Sequence, residues 1–255
     1  MTRLLLLRVF MDTANGGYYS PLHENGCASL LPMPETAQLK YTPSFLNPDN
    51  IIDPCGYGYL SRYYANECFR NSQKALHNDP RPDLGFYTGH YSPKGRIPKS
   101  LNKRLNEGDI LLFMAGLAEY PDDIWDNKPG LRDIQKKLYK LKKKGKAGIY
   151  LVSGIVVEKT IDISSTGWSK VIKKYPVLRF SPHYYRIRDH TIAILGKGFS
   201  INPPMKIYCF KNGLTSDFIE LVGKEIATRI MKNNFRRSGV VEIPYRKVRD
   251  IIYLK

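Results

Sequence analysis

The chain has 255 residues, 42% of them apolar, enough to bury a full core and too many for an intrinsically disordered segment. Its 40 Lys and Arg against 23 Asp and Glu leave a formal charge of +17, a self-repulsion that a bound polyanion relieves, and polyphosphate is the commonest such partner. The early apolar run Leu4–Leu7 is too short to cross a bilayer and no small-residue cleavage pattern follows it, so neither a membrane span nor a secretory leader is expected there, and a cytoplasmic location is expected.

In chain order, a strand rich in Leu and Val is expected from about Arg3 to Met11, stopped by the turn residues Asn15-Gly16-Gly17. A second short strand follows near Ala28 to Met33. Residues from about 34 to 100 are dense in Pro, Gly, Asn and Tyr and form a loop-rich insertion, within which only Ser61–Leu76 has a helical aspect. Strands are expected at Asp109–Ala115, Ile149–Val157, Thr191–Leu195 and Lys206–Phe210. Leu131, Ile134, Leu138 and Leu141 recur at helical spacing, predicting an amphipathic basic helix over about 131–145. Gly196-Lys197-Gly198 lacks the spacing of a phosphate loop and is expected to be a turn. Ser216 or Asp217 caps a last helix running to about Asn233. This mixture is an α+β pattern: a mixed β-sheet core with a few peripheral helices, in a single compact domain over residues 1–255.

The basic residues are clustered. One group is the helix face with Lys136, Lys140, Lys143 and Lys144, where Asp133 is the single acid; a second is Arg229, Lys232, Arg236, Arg237, Arg246, Lys247 and Arg249. Two such segments suit a nucleic-acid footprint, with a solvated Lys-rich surface as the plain alternative. Tyr184-Tyr185-Arg186-Ile187-Arg188, bracketed by His183 and His190, has the composition to stack bases and pair phosphates, and equally that of a surface strand. Tyr57, Tyr59, Tyr63, Tyr64, Tyr87 and Tyr91 crowd the loop-rich part, either to grip a splayed base or to form the core of that region.

Candidate chemistry falls on three residues. Asp12 ends a buried strand before a Gly-rich turn, where it can meet a ligand together with Asn15, Gly16 and Gly17, or simply close the turn. His77 and Asp79 stand two apart on an extended segment held by Pro80, an arrangement suited to general acid/base work and also to an ordinary loop hydrogen bond. Adding His90 would supply three metal ligands, but without a recognised spacing, so no metal is expected. Cys27, Cys55, Cys68 and Cys209 show neither a CxxC pair nor zinc spacing and are expected to be ordinary thiols. No dinucleotide fingerprint or Walker loop is present, and no cofactor is expected.

Two resemblances add to this. Glu107-Gly108-Asp109 with the strand Ile110–Leu117, and then Gly148–Val157, resemble the Gly-Asp turn and Gly-containing strand of PUA-like domains of the ASCH and EVE types, which implies a barrel core and the handling of RNA or altered bases. More widely, Asp12-Thr13-x-x-Gly16-Gly17, Ser20-Pro21, Pro32-x-Pro34-Glu35, His77-x-Asp79-Pro80, Tyr87-Thr88-Gly89 and Gly108-Asp109 are similar to the third of the nucleotide modification associated domain families. That resemblance implies association with systems that make or handle modified bases. The order Tyr87-Thr88-Gly89 only approximates the family pattern, and the Lys-rich helix is an elaboration on it.

The resulting expectation is a nucleic-acid-associated protein that recognises a base in RNA or DNA. As an enzyme it would use Asp12, His77 and Asp79, with Asn15, Gly16, Gly17, Tyr87, Lys136, Lys140, Lys143, Lys144, Arg186 and Arg188 on the nucleic acid. The alternatives are a non-catalytic reader of modified bases, or a factor bound to structured RNA such as the ribosome. Sequence leaves the reaction, the base and the oligomeric state open.

Overall fold

The structure, a computed structural model, describes residues 3–13, 16–69, 74–90, 105–187, 191–232 and 239–241. Leu4–Arg8 forms β1, and all four of its leucines are buried. Leu4 and Leu6 enter one core cluster, Leu5 and Leu7 another, because successive strand side chains point to opposite faces. A strand covered on both faces reads as a continuous apolar run instead of an alternating one, and that accounts for the Leu4–Leu7 stretch.

Short strands follow at Ser20–Pro21 (β2), Met33–Pro34 (β3) and Leu76–His77 (β4), then Phe86–His90 (β5) and Ile110–Ala118 (β6). Ala147–Asp162 (β7) and Thr191–Cys209 (β8) are long; Gly213–Leu214 (β9) and Gly239–Val241 (β10) complete the set. The main sheet has the order β10-β1-β6-β7-β8-β5, with β2 on β6 and β9 on β8. β1 and β6 are parallel, whereas β6–β7, β7–β8 and β8–β5 are antiparallel. Register shifts in the β6–β7 and β7–β8 ladders increase the local twist, and the mixed sheet curls into a half-barrel flanked by helices. The α+β expectation is met. β3 and β4 form a separate two-stranded sheet.

The basic helix, α1, spans Leu131–Lys144 and buries Ile134, Leu138 and Leu141 against the first core face. Gly145 ends it at φ 78°, with its N–H bonded to Lys142 O and the next N–H, of Lys146, to Leu141 O, a left-handed cap that a residue with Cβ enters only with strain. Short helices follow at Ile163–Thr166 (α2), Trp168–Lys174 (α3) and Pro182–Tyr185 (α4), then Ser216–Val222 (α5) and Lys224–Lys232 (α6). Among the described residues no helix is long and apolar enough to cross a membrane.

Several local expectations are corrected. Gly196-Lys197-Gly198 is not a turn but lies inside β8, which joins the two expected strands into one. The glycines are there for close approach: a Cβ on Gly196 would collide with Val156 O, and one on Gly198 with Pro82 O. The strand expected near Ala28–Met33 shrinks to Met33–Pro34, while Ala28 makes an isolated bridge to Leu22 and Leu31 N–H donates to the Ser20 hydroxyl. Within Ser61–Leu76 the described backbone makes 3-10 turns at Leu60–Tyr63 and Asn66–Cys68, not an α-helix, because Tyr64 and Ala65 between them are extended. The last helix breaks at Gly223 into α5 and α6, and Thr215, not Ser216 or Asp217, caps it. Cys27 and Cys55 are not free thiols; they form a disulfide, 28 residues apart, between two loops that no short spacing pattern connects.

Candidate functional site

Four stretches distant in sequence converge at the β3–β4 sheet. Antiparallel pairing sets Met33 opposite His77, which brings Glu35, two residues on, beside the imidazole. The segment 38–40 runs along 185–187 through Lys40 N–H to Tyr185 O and Ile187 N–H to Gln38 O, and so delivers Arg186 to the same place. Arg186 is buried, and its Nη2 donates to Glu35 Oε1 and Oε2 at 3.0 and 2.9 Å while Nε donates to Oε2 at 3.2 Å. His77 Nδ1 lies 3.0 Å from Glu35 Oε2 and 3.1 Å from Arg186 Nη2. One ring nitrogen cannot bond both at once, since the guanidinium has only donors and the carboxylate only acceptors: with a proton Nδ1 donates to Glu35, and without one it accepts from Arg186. Burial alone would raise the Glu35 carboxyl, but the bond and charge of His77 and the charge of Arg186 outweigh it and bring it down to about 2.

The network continues through His183, whose Nδ1 is 3.2 Å from Arg186 Nη1 and 3.3 Å from Thr191 Oγ1, with its ring edge-on to His77 at 4.9 Å. Its backbone N–H donates to Ser181 Oγ, which is 2.7 Å from Thr88 Oγ1. Thr88, on β5, bonds Asp79 through its hydroxyl, and its N–H lies 3.0 Å from both carboxyl oxygens. Asp79 is 3% exposed, and burial raises its carboxyl to about 8 against the opposing bonds from Thr88 and the charges of Arg186 and Arg81. A protonated Asp79 can donate to Thr88 Oγ1 and accept from Thr88 N–H, so a neutral acid satisfies the site. His77, with a side chain 14% exposed, is the member of the Glu35–Arg186–His77 group that solvent reaches most.

His77 and Asp79 lie in one network but face different partners, Asp79 Thr88 and His77 Glu35. Asp12 belongs to another. It is buried and pairs with Arg8 Nε at 3.3 Å, while its carbonyl accepts Gly17 N–H and closes the turn. Leu31 joins the two regions: its carbonyl accepts Met11 N–H, and two residues later Met33 opposes His77. Gly16 lies on Met11, and Gly17 faces Gln135 and Leu131 of α1. Asn15 and Arg188 lie outside the described residues, as do Tyr91, His190 and most of the carboxyl-terminal basic cluster; His90 is described only in its backbone. Tyr87 packs against Phe113, ring centres 5.7 Å apart, and Arg186 is sunk onto Glu35 instead of standing at the surface. Lys136, Lys140, Lys143 and Lys144 are all exposed on α1.

Sequence reasoning missed Glu35, Thr88, Ser181 and His183 as members of this network. It also missed a second one, in which Ser29 Oγ lies 2.7 Å from His23 Nε2 and donates to Asp53 Oδ2, which also accepts from Tyr63 OH. Asp122 is 3.4 Å from His23 Nδ1, but Ser29 has no exposed surface and its hydroxyl is given to Asp53, so this group pins the disulfide-linked loops instead of offering a nucleophile. Among the described residues no three His, Cys, Asp or Glu side chains are placed to hold a metal ion.

The model of nucleotide modification associated domain 3 matches residues 3–191. The chain belongs to that family. The match spans β1 to the start of β8, so Glu35, His77, Asp79, Thr88, His183 and Arg186 all lie within the nucleotide modification associated domain. Its quoted motifs Pro34-Glu35, His77-x-Asp79 and Thr88-Gly89 are the segments that meet in the buried network, and this was the signal that could have pointed to Glu35 and Thr88. No curated protein and no solved structure matches the chain.

Proposed function

We propose that the protein binds nucleic acid through the outer face of α1 and recognises a base there, in the making or handling of a modified nucleotide. The observation that carries this reading is the α1 face itself: Lys136, Lys140, Lys143 and Lys144 all stand in solvent around one exposed acid, Asp133, in a protein of a nucleotide modification family. Lysines aligned on one helix face act as a set of point charges for successive phosphates. In this reading His77 is the acid/base group. Glu35 fixes its Nδ1 proton and ring orientation, Arg186 holds Glu35, and the neutral Asp79 anchors the segment on β5.

The test has two arms. Replacing Lys136, Lys140, Lys143 and Lys144 with Gln should weaken binding of an oligonucleotide at least tenfold, and unchanged affinity would remove α1 from the interface. His77→Gln should leave binding intact while abolishing any change to the base, read by mass spectrometry of nucleosides after incubation with cellular nucleic acid. The burial of Glu35, Arg186 and Asp79 favours the second reading, a non-catalytic reader. Wild type and His77→Gln would then yield identical nucleoside profiles.

A further inference from the structure

The carboxyl end of α1 lies against the carboxyl end of β8. Gly145 is the point of contact: a Cβ there would touch Cys209 Sγ and the Lys211 side chain at 3.6 Å. This brings the last turn of α1 beside Lys211, and Arg8, from the end of β1, lies near Lys142. The acids paired into this surface are Glu119, 3.4 Å from Lys146, and Asp12, on Arg8. In its midst stands Phe210, 37% exposed and directly after the last residue of β8. Lys142 Nζ lies 4.4 Å from the Phe210 ring centre and 4.6 Å from that of Tyr19, while Tyr19 and Tyr208 back the ring at 5.8 and 5.3 Å. One helical turn away Tyr139, 60% exposed, has Lys143 Nζ 4.5 Å from its ring centre.

Exposed aromatic surface grouped with charges marks an interaction site more than singly exposed residues do. Here the exposed rings are interleaved with ammonium groups, the composition of surfaces that hold unpaired nucleic acid, where a base stacks on each ring and lysines take the phosphates between. Lys142 is also partly desolvated; burial and the nearby Arg8 charge lower its pKa, and a phosphate would restore its counter-charge. We infer that Phe210 and Tyr139 form a stacking platform for a single-stranded segment of nucleic acid whose phosphates lie on Lys142, Lys143 and Lys211. This rests on the proposed nucleic-acid binding and adds to it the strandedness of the substrate and the residues that select it.

The probe is a single-stranded oligonucleotide carrying 2-aminopurine, whose fluorescence is quenched when it stacks on an aromatic ring. Wild type should quench it and should bind it more tightly than the matching duplex. Phe210→Ala should weaken single-strand binding roughly tenfold, by the usual worth of one stacked base, and lose most of the quenching, with the salt dependence unchanged. Phe210→Trp should restore both, and an unchanged thermal midpoint shows that Ala has not unfolded the protein. Unchanged affinity and quenching in Phe210→Ala overturn the platform while leaving the α1 reading intact. Equal displacement of the probe from wild type and Phe210→Ala by polyglutamate would show charge alone at work and overturn it too. If wild type binds neither single strand nor duplex, the α1 reading fails and the platform with it.

Discussion

Asp79 is a carboxyl group enclosed by protein and bonded to Thr88, and its protonation ties stability to pH. Its folded value of about 8 exceeds the unfolded value of 3.8, so between them the folded state binds the extra proton. Stability contributed by this group is full below about pH 4 and is lost as pH rises towards 8. Asn in its place keeps an acceptor for Thr88 N–H and a donor for Thr88 Oγ1 without titrating. Thermal midpoints of wild type should therefore fall relative to those of Asp79→Asn from pH 5 to pH 8; parallel curves would show that Asp79 is ionised throughout. Glu35 has the opposite sign: its folded value near 2 lies below the unfolded 4.5, so its contribution is present above pH 4.5 and fades as pH falls through 2. Removing one partner of its buried pair, as in Glu35→Ala or Arg186→Ala, should cost about 3–5 kcal/mol because the other charge is left uncompensated. The double change Glu35→Leu with Arg186→Met should cost less than either single change, measured by denaturant unfolding, and simple additivity would argue against a coupled pair.

At the scale of elements, what could be read in advance was what repeats along the chain. The Leu131–Ile134–Leu138–Leu141 stripe gave α1 to within a residue, and the Gly108-Asp109 turn gave β6, because each pattern records one element's own burial. Glu35, His77, Thr88 and Arg186 carry no such local record. Their meeting depends on the pairing of β3 with β4 and of 38–40 with 185–187, and a buried Arg next to two tyrosines looks in sequence like a surface one. Phe210 was hidden likewise, as one more apolar residue at the end of a strand. The link between Cys27 and Cys55 was equally unreadable, yet it closes a loop of 28 residues, which by chain entropy stabilises the fold by about 3–4 kcal/mol. Paired Ser replacements should lower the unfolding free energy by about that amount in oxidising buffer and leave it level with wild type under reductant. Equal stability in oxidising buffer would mean that the bond does not form in solution.

For the whole molecule, part of the +17 charge is grouped: α1 displays its lysines outward, Lys142 turns to the aromatic end of β8, and Arg186 is spent inside on Glu35. The central claim is that this surface engages phosphates, and binding through released counterions has a quantitative signature. If the α1 face meets four to six phosphates, log affinity for an oligonucleotide should fall with log salt at a slope of about −3 to −5. Measured by fluorescence anisotropy between low and physiological salt, wild type should show that slope and the variant with Gln at Lys136, Lys140, Lys143 and Lys144 a clearly shallower one, its helical circular dichroism unchanged because Gln is nearly as good a helix former. A variant with the affinity and the slope of wild type would contradict the account.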